Sequence, residues 1–149
     1  IKDIQWAAKD ILNNIGKVDI IFNNAGIVVG KSFAEHSDED MKRTIDINVL
    51  GVMRTTKAFI GAMLADGSGH IVNIASAAGL SPNPGMTVYA GSKWAAVGWS
   101  DSLRIELEQN HENLRVLKYF NVNEIFEEFI LREWKFYSIL FSSAASWIA

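Results

Sequence analysis

The chain has 149 residues, a length typical of one domain, and its 49% hydrophobic and 21% charged residues are ordinary for a globular protein. Seventeen acidic and fourteen basic residues give a net charge of −3, so there is no basic excess to bind a nucleic-acid backbone. There is no cysteine, which excludes disulfide bonds and cysteine-based metal sites. The histidines lie too far apart to form a ligand pair: His36, His70 and His111. We therefore expect no metal site and no nucleic-acid partner.

The sequence carries no recognisable targeting or membrane segment. No basic region followed by an apolar stretch indicates a secretory signal. The uncharged apolar tract at the end of the sequence, residues 136–149, is too short to span a bilayer. We therefore expect a soluble, cytoplasmic protein. The first residues already follow a helical pattern without an initiator methionine or a capping residue, so we expect the protein to begin further upstream.

Hydrophobic periodicity predicts helices that alternate with strands along the chain. The predicted helices span residues 2–15, 38–65 and 87–109, and the predicted strands span residues 18–22, 70–75 and 114–118. Near-continuous apolar runs in the first two strands are typical of parallel strands covered on both faces. Ser37 and Asp40 have the spacing of a capping box, which marks the start of the second helix. The alternation predicts an α/β fold: a partial doubly wound, Rossmann-type parallel sheet with α/β/α layers.

Three polar features follow predicted strands, at the sheet edge where open parallel sheets bind ligands. They are the turn Asn23-Asn24-Ala25-Gly26, the side chain of Ser76, and the pair Tyr89 and Lys93. Tyr89 and Lys93 are four residues apart and share one helix face, so the ammonium can lie near the phenol. A free tyrosine has a pKa of about 10, and a fixed positive charge beside a phenol stabilises the phenolate. With Ser76 bonded to a substrate oxygen, this set can move a proton to or from an alcohol during hydride transfer.

Four short motifs occur along the chain: Asp-Ile-Ile-Phe-Asn-Asn-Ala-Gly at residues 19–26, Ile-Asn-Val-Leu-Gly at 47–51, Ile-Val-Asn-Ile-Ala-Ser at 71–76 and Tyr-Ala-Gly-Ser-Lys at 89–93. In this order and spacing they resemble the short-chain dehydrogenases/reductases of the classical type. The resemblance covers roughly residues 1–117. A Tyr-x-x-x-Lys pair alone is a weak signal, whereas four motifs in register are specific.

The resemblance implies a role for each matching residue. Tyr89 would be the catalytic acid/base, and Ser76 would orient and polarise the substrate oxygen. Lys93 would stabilise the phenolate and bind the ribose hydroxyls of a nicotinamide cofactor. Asn48 would hold a water molecule in a proton relay. The remaining cofactor-binding residues would line the groove beside Tyr89 and Lys93: Asn23, Ala25 and Gly26.

The implied function is an NAD(P)-dependent oxidoreductase that uses NAD or NADP to interconvert an alcohol and a ketone or aldehyde. A likeness over residues 26–32 and 56–59 extends to enzymes of lipophilic alcohols, such as retinol and hydroxysteroid dehydrogenases. The chain lacks the family's Thr-Gly-x-x-x-Gly-x-Gly phosphate-binding turn. We expect the chain alone to be inactive or nearly so, because hydride transfer requires a firmly held nicotinamide.

The full-length protein is expected to be a homo-oligomer. In the resembled family, the helices that correspond to residues 38–65 and 87–109 commonly pack against a second subunit. In this chain their apolar residues, Trp94 and Trp99 among them, exceed what one face of a sheet can cover. The surplus apolar surface therefore favours a partner subunit.

The last residues differ in composition from the rest. All eleven glycines precede position 99, whereas seven of the sixteen aromatic residues lie beyond position 120. A buried or partner-covered helix is one interpretation, and a tail that is foreign to the fold is the other, which we favour. We therefore divide the chain into residues 1–120, the C-terminal portion of a dinucleotide-binding domain of this family, and residues 121–149, a divergent apolar tail.

Two other functions compete with the oxidoreductase. Residues 25–32 fit a relaxed phosphate-binding loop that follows a strand and ends in Gly-Lys-Ser, which would indicate a nucleotide triphosphatase. Three consecutive bulky residues in that loop, and a helix that starts only at Ser37, disfavour this interpretation. The third hypothesis is an inactive truncated remnant or an interaction module. Nucleotide binding separates the three, because the oxidoreductase binds NAD(P)H, the triphosphatase binds ATP with magnesium, and the remnant binds neither.

Overall fold

The computed structural model describes residues 2–111 and 113–121, and the backbone of residues 139–142. Its helices are α1 (Lys2–Asn14), α2 (Asp38–Ile45), α3 (Val52–Asp66) and α4 (Thr87–Glu108). Its strands are β1 (Ile20–Asn23), β2 (Gly69–Ile74), β3 (Leu114–Tyr119) and β4 (Ile139–Ser142). A π-helical segment, Asp46–Gly51, joins α2 to α3, and the loops after β1 and β2 contain the short 3₁₀ turns Phe33–Glu35 and Ala77–Gly79.

The described strands form one parallel sheet in the order β3-β2-β1-β4. Parallel neighbours need crossover connections, and α3 and α4 lie in the connections from β1 to β2 and from β2 to β3. In the register of β1 and β2, Asn23 lies opposite Asn73, so the two strands end side by side. The predicted α/β class and the parallel pairing are therefore confirmed.

The three long helices α1, α3 and α4 pack on one face of the sheet. Their apolar side chains meet those of the strands in one core cluster, which includes Ala8, Ile21, Phe59, Met63, Ile71 and Leu107. The alternate residues of β1 and β2 point to the opposite face, where Ile20, Phe22 and Val72 are also buried. Apolar burial on both faces is what the near-continuous apolar runs in these strands predict. The described long helices supply one of the two helical layers of a doubly wound sheet.

The single helix predicted over residues 38–65 is interrupted in the structure. Its start is as predicted: the Ser37 hydroxyl accepts a hydrogen bond from the Asp40 N–H at 3.2 Å, and the Asp40 carboxylate accepts one from the Ser37 N–H at 3.1 Å. The π segment Asp46–Gly51 then replaces regular helix. π bulges occur frequently at functional sites, and Asn48 in this segment forms hydrogen bonds outside the helix. None of the described helices is long and apolar enough to cross a membrane.

The predicted tail lies mostly outside the described residues. Residues 139–142 form β4, which pairs in parallel with β1 and places Ile139 opposite Ile20. Residues 122–138 and 143–149 are outside the described part of the chain. The division of the chain at residue 120 stays a prediction.

Candidate active site

Three segments meet at the carboxyl ends of β1 and β2. The turn of residues 23–26 continues from β1, and Ser76 follows β2 after one residue of loop, Ala75. Tyr89 and Lys93 occupy the first two turns of α4, which begins at Thr87 after the loop that follows β2. The sheet therefore places the predicted residues at the edge where α/β proteins bind ligands.

Lys93 is buried at this edge and points back to the sheet. Only 7% of its surface is exposed, and its Nζ donates a hydrogen bond of 2.9 Å to the backbone oxygen of Ile74, the last residue of β2. The same Nζ lies 5.8 Å from the centre of the Tyr89 ring. Burial lowers the pKa of the Lys93 ammonium from its ordinary value of 10.5. No carboxylate pairs with Lys93 in the described part of the chain, so two of its three donors remain for a ligand.

Asn48 connects the loop after β1 to the first turn of α4. Its Oδ1 accepts a hydrogen bond from the Ile27 N–H at 2.8 Å, and its Nδ2 donates to the Ile27 oxygen at 2.9 Å. The same Nδ2 donates to the Ser92 hydroxyl at 3.0 Å, which in turn donates to the backbone oxygen of Tyr89 at 2.6 Å. Asn48 and Ser92 are both buried. Both amide donors of Asn48 are therefore used, and its oxygen keeps one acceptor position.

Gly26 lies between Asn48 and Lys93. A Cβ atom at this position would lie 3.4 Å from Oδ1 of Asn48 and 3.6 Å from Nζ of Lys93. The absence of a side chain therefore leaves these two polar groups open toward the turn, where Gly26 itself is exposed and Ala25 is half-buried. The structure thus brings Gly26, Asn48 and Lys93 together, with Tyr89 beside Lys93.

Asn23 faces the protein core and not the strand ends. Its Nδ2 donates to the Thr56 hydroxyl at 3.0 Å and to Oδ1 of Asn73 at 2.8 Å, and Nδ2 of Asn73 donates to the Ser100 hydroxyl at 2.9 Å. All four residues are buried. The network ties β1 and β2 to α3 and α4. The Asn23 side-chain amide is therefore engaged in this network, and the contact of Asn23 with a cofactor stays a prediction.

Ser76 is half-buried and caps the second 3₁₀ turn. Its hydroxyl oxygen accepts a hydrogen bond from the Ala78 N–H at 3.2 Å, which leaves the hydroxyl proton to be donated elsewhere. Ser76 lies two residues beyond Ile74, whose carbonyl receives the Lys93 hydrogen bond. Ser76 therefore lies in the segment that the Lys93 side chain contacts, and its role toward a substrate stays a prediction.

Ser92 and Thr56 are two buried polar residues beside the candidate site whose bonding roles the sequence interpretation missed. Ser92 is fully buried and bridges Asn48 to Tyr89. Its position inside the Tyr-x-x-x-Lys motif, three residues after Tyr89, was an available signal, since it places Ser92 near the Tyr89 face of the helix. Thr56 had no such signal because its partner, Asn23, is 33 residues away.

The rival phosphate-binding loop does not have the geometry that its motif needs. Lys31 forms an ion pair with Asp40 at the start of α2. Ser32 caps a 3₁₀ turn of three residues, and its N–H and hydroxyl both donate to the Glu35 carboxylate. The Glu35 carboxylate therefore accepts the hydrogen bonds that Ser32 would donate to a phosphate. The helix that begins here is a 3₁₀ turn of three residues, so a phosphate would not lie at the N-terminus of a long helix.

Comparison with known proteins gives one consistent result. Residues 1–118 match the family model described as short chain dehydrogenase. Epidermal retinol dehydrogenase 2 of Homo sapiens is 43% identical over 99 residues, which are 66% of this chain and 32% of that protein. Estradiol 17-beta-dehydrogenase 11 of Homo sapiens is 42% identical over 106 residues, 71% of this chain and 35% of that protein. The chain spans about a third of the length of these curated relatives.

Solved structures with the same fold agree with the sequence matches. A short-chain dehydrogenase/reductase from Burkholderia phymatum, solved in complex with NAD, superposes with a TM-score of 0.76 at 34% sequence identity. The superposition covers 78% of this chain and 42% of the Burkholderia chain. A metagenomic short-chain oxidoreductase in complex with NADP gives a TM-score of 0.74 at 32% identity, over 78% of this chain and 52% of its own. The order of elements, the motifs at the strand ends and these matches agree, and the chain belongs to the short-chain dehydrogenase family.

Proposed function

We propose that the protein containing this chain is an NAD(P)-dependent oxidoreductase that interconverts an alcohol and a ketone or aldehyde. The observation that carries the proposal is the pairing of Tyr89 with the buried ammonium of Lys93 at the carboxyl end of β2. Membership of the family supports it. The named relatives, a retinol and an estradiol dehydrogenase, belong to the same reaction class.

The residues present fit the nicotinamide end of NAD or NADP. Lys93 uses one donor on Ile74 and keeps two that can reach ribose hydroxyls, while Gly26 leaves room for a ligand beside it. The phosphate-binding glycine turn is absent from this sequence, so the pyrophosphate has no binding site among the motifs of the chain. When bound, the nicotinamide supplies the hydride donor or acceptor.

The acid/base chemistry falls to the residues of this chain. In alcohol oxidation, Tyr89 acts as the phenolate, which the nearby Lys93 charge favours over the neutral phenol, and it takes the hydroxyl proton to become the phenol. Ser76 donates its hydroxyl proton in a hydrogen bond to the substrate oxygen and fixes its orientation. Asn48 presents its remaining acceptor position beside Gly26 to a water that relays the proton toward solvent. Reduction runs through the same groups in reverse.

We propose a lipophilic alcohol as the substrate. Large apolar side chains are exposed in the two loops that leave the strand ends: Val28, Phe33 and Leu80. Exposed apolar surface beside a polar cleft is typical of a binding site for an apolar ligand. The curated relatives named for retinol and estradiol support the same substrate class.

We also propose that the full-length protein is a homo-oligomer that pairs through α3 and α4. Small residues recur at helical spacing on the exposed face of α4: Gly91, Ala95, Gly98 and Ser102. The large apolar residues Trp94 and Ile105 are exposed on the same helix. Between the two helices runs an open groove lined by Met53, Lys57, Ile60, Trp99 and Leu103. A small-residue stripe flanked by large apolar side chains allows close helix approach.

The proposed location is the cytoplasm, as expected from the sequence. Cell fractionation with an antibody to the protein tests it. Recovery with the soluble fraction is the expected result, and recovery with membranes contradicts it.

The deciding experiment compares nucleotide binding and turnover of the full-length protein with those of the 149-residue chain. The proposal expects the full-length protein to bind NADH or NADPH and to oxidise retinol or a secondary steroid alcohol. The chain alone should be inactive or nearly so. Binding of ATP with magnesium in place of NAD(P)H would establish the triphosphatase. Binding of neither nucleotide would identify an inactive remnant or an interaction module.

A further inference from the structure

The second 3₁₀ turn touches α4 at a place where no side chain fits. Gly79 is the last residue of this turn, and a Cβ atom built on it would lie 2.9 Å from the backbone oxygen of Lys93 and 3.1 Å from Cγ2 of Val97. The first of these atoms belongs to the backbone of a long helix and cannot move away without distorting the helix. Gly79 does not have a positive φ, so the requirement for glycine is one of space.

The same turn carries Ser76. The Gly79 N–H donates a hydrogen bond of 2.8 Å to the backbone oxygen of Ser76, and the Ala78 N–H donates to its hydroxyl at 3.2 Å. Residues 76–79 therefore form one small hydrogen-bonded unit. The distance between Gly79 and α4 consequently determines where the Ser76 hydroxyl lies relative to the helix.

Lys93 holds this unit at two points along the chain. Its Nζ bonds to the oxygen of Ile74, two residues before Ser76, and its backbone oxygen lies against Gly79, three residues after Ser76. Gly79 differs in this respect from glycines within the helices, because an added Cβ would meet nothing within 4 Å at Gly61, Gly91 and Gly98. The close approach is thus a local feature of the contact between the turn and α4.

We propose that Gly79 is a positioning residue that sets the place of Ser76 relative to Tyr89 and Lys93. The proposal rests on the proposed function, in which Ser76 orients the substrate oxygen. Gly79 acts by letting the 3₁₀ turn lie directly on the backbone of Lys93. A methyl group at position 79 moves the turn away from α4 and carries the Ser76 hydroxyl with it.

The first experiment is Gly79→Ala in the full-length protein, with Gly61→Ala as the matched control. A displacement of about 1 Å at a reacting group can cost about 100-fold in rate, so we expect kcat to fall by roughly 10- to 100-fold in Gly79→Ala. The dissociation constant for NADH or NADPH should stay the same, because Lys93 and Gly26 are unchanged. Gly61→Ala should leave both quantities unchanged. An unchanged kcat in a folded Gly79→Ala variant would overturn the proposal.

The second experiment separates positioning from a general structural role by a double-mutant cycle with Ser76→Ala. If Gly79 acts through Ser76, adding Gly79→Ala to Ser76→Ala lowers kcat by no more than about twofold. If the two losses in kcat multiply, Gly79 acts independently of Ser76 and the proposal is wrong. Should Gly79→Ala fail to fold, Val97→Ile adds one methyl group at the same contact, and the same cycle applies.

A third measurement keeps the test independent of the proposed reaction. If the wild-type protein turns over no alcohol, the proposed function fails, and the placement of Ser76 is then judged from crystal structures of the wild type and of Gly79→Ala. A Ser76 hydroxyl displaced by about 1 Å relative to the Lys93 side chain supports the positioning role. A Ser76 hydroxyl that keeps its wild-type place relative to Lys93 overturns it.

Discussion

Asn48 and Ile27 are joined by two hydrogen bonds, of 2.8 and 2.9 Å, between a side-chain amide and both polar groups of one backbone residue. Ile27 lies in the loop after β1, where none of the described strands pairs with its N–H and C=O groups. The buried amide therefore takes the place of a sheet partner. As a result, one side chain in the π segment anchors the loop that begins with the predicted cofactor-binding turn.

Replacement of Asn48 by alanine is expected to lower the free energy of unfolding by roughly 2–3 kcal/mol, because buried polar groups of Ile27 and Ser92 lose their partner. Urea unfolding followed by circular dichroism measures the change. The control is Asn14→Ala, which removes an exposed amide that bonds to Asp10 and should change stability by less than about 0.5 kcal/mol. Equal losses of unfolding free energy in Asn48→Ala and Asn14→Ala would contradict the anchoring role of Asn48.

A second stability prediction concerns the core network beneath the strand ends. Thr56→Val keeps the shape of the side chain but leaves one Nδ2 donor of Asn23 without its acceptor. An unsatisfied buried donor costs about 1–3 kcal/mol, so we expect a loss of that size in unfolding free energy. Thr55→Val, one residue earlier on the same helix, makes the same change at a half-buried position and should cost less. A smaller loss for Thr56→Val than for Thr55→Val would exclude this role for the network.

The elements of the fold follow from local patterns that the sequence displays directly. Each of these patterns involves residues that are close together in the sequence, so the sequence alone predicts the structure. Examples are the apolar runs of β1 and β2, the 3.6-residue period of α4 and the capping box at Ser37. The Tyr89 and Lys93 pair was predicted for the same reason, because four residues along a helix bring two side chains together.

The features that were not predicted depend on contacts between distant residues. The π segment interrupts a continuous helical pattern at Asn48, which bonds to Ile27, 21 residues earlier, and to Ser92, 44 residues later. The side chain of Asn23 bonds to Asn73, 50 residues away, and the turn that contains Asn23 gives no local signal of this partner. Periodicity carries no information about which distant partner a polar side chain will meet.

The acid stability of the protein should depend in part on Asp40. Hydrogen bonds from Lys31 and Ser37 hold the pKa of the Asp40 carboxyl well below its ordinary value of 3.8. A carboxyl with a lowered pKa binds fewer protons folded than unfolded, so its stabilising effect is complete above pH 3.8 and lost as the pH falls through the folded pKa. Glu35 and Asp46 are shifted in the same direction, by hydrogen bonds from Ser32 and Lys42 respectively.

The melting temperature measured from pH 5 down to about pH 2 tests this effect. We expect Asp40→Asn to melt lower than wild type at pH 5 and to lose less on acidification, so that the two curves converge. Asp38→Asn removes an exposed carboxyl from the same helix turn and should leave the slope of the wild-type curve unchanged. Parallel curves for wild type and Asp40→Asn would contradict the prediction.

The proposed oligomer makes a prediction for the exposed stripe of α4. Gly98→Arg places a long charged side chain where an added Cβ meets nothing within 4 Å in the single chain, so it should not disturb the fold. In the full-length protein it should prevent close helix approach and shift the sedimentation velocity profile to the monomer. Gln5→Arg adds the same charge to an exposed position on α1 and should leave the assembly unchanged. A wild-type protein that is already monomeric at micromolar concentration would rule out the pairing.

Tyr89→Phe tests the proposed chemistry most directly. The change removes the transferable proton but keeps the aromatic ring beside Lys93, so the site retains its shape. Loss of a positioned acid/base group costs about 100- to 10,000-fold, and we expect kcat of the full-length protein to fall by that amount. Cofactor affinity, measured from the fluorescence of bound NADH or NADPH, should stay close to that of wild type because the Lys93 donors and Gly26 remain. A variant that keeps wild-type kcat would show that another group transfers the proton. A variant that loses cofactor binding and turnover together would show that the Tyr89 hydroxyl contributes to holding the nicotinamide.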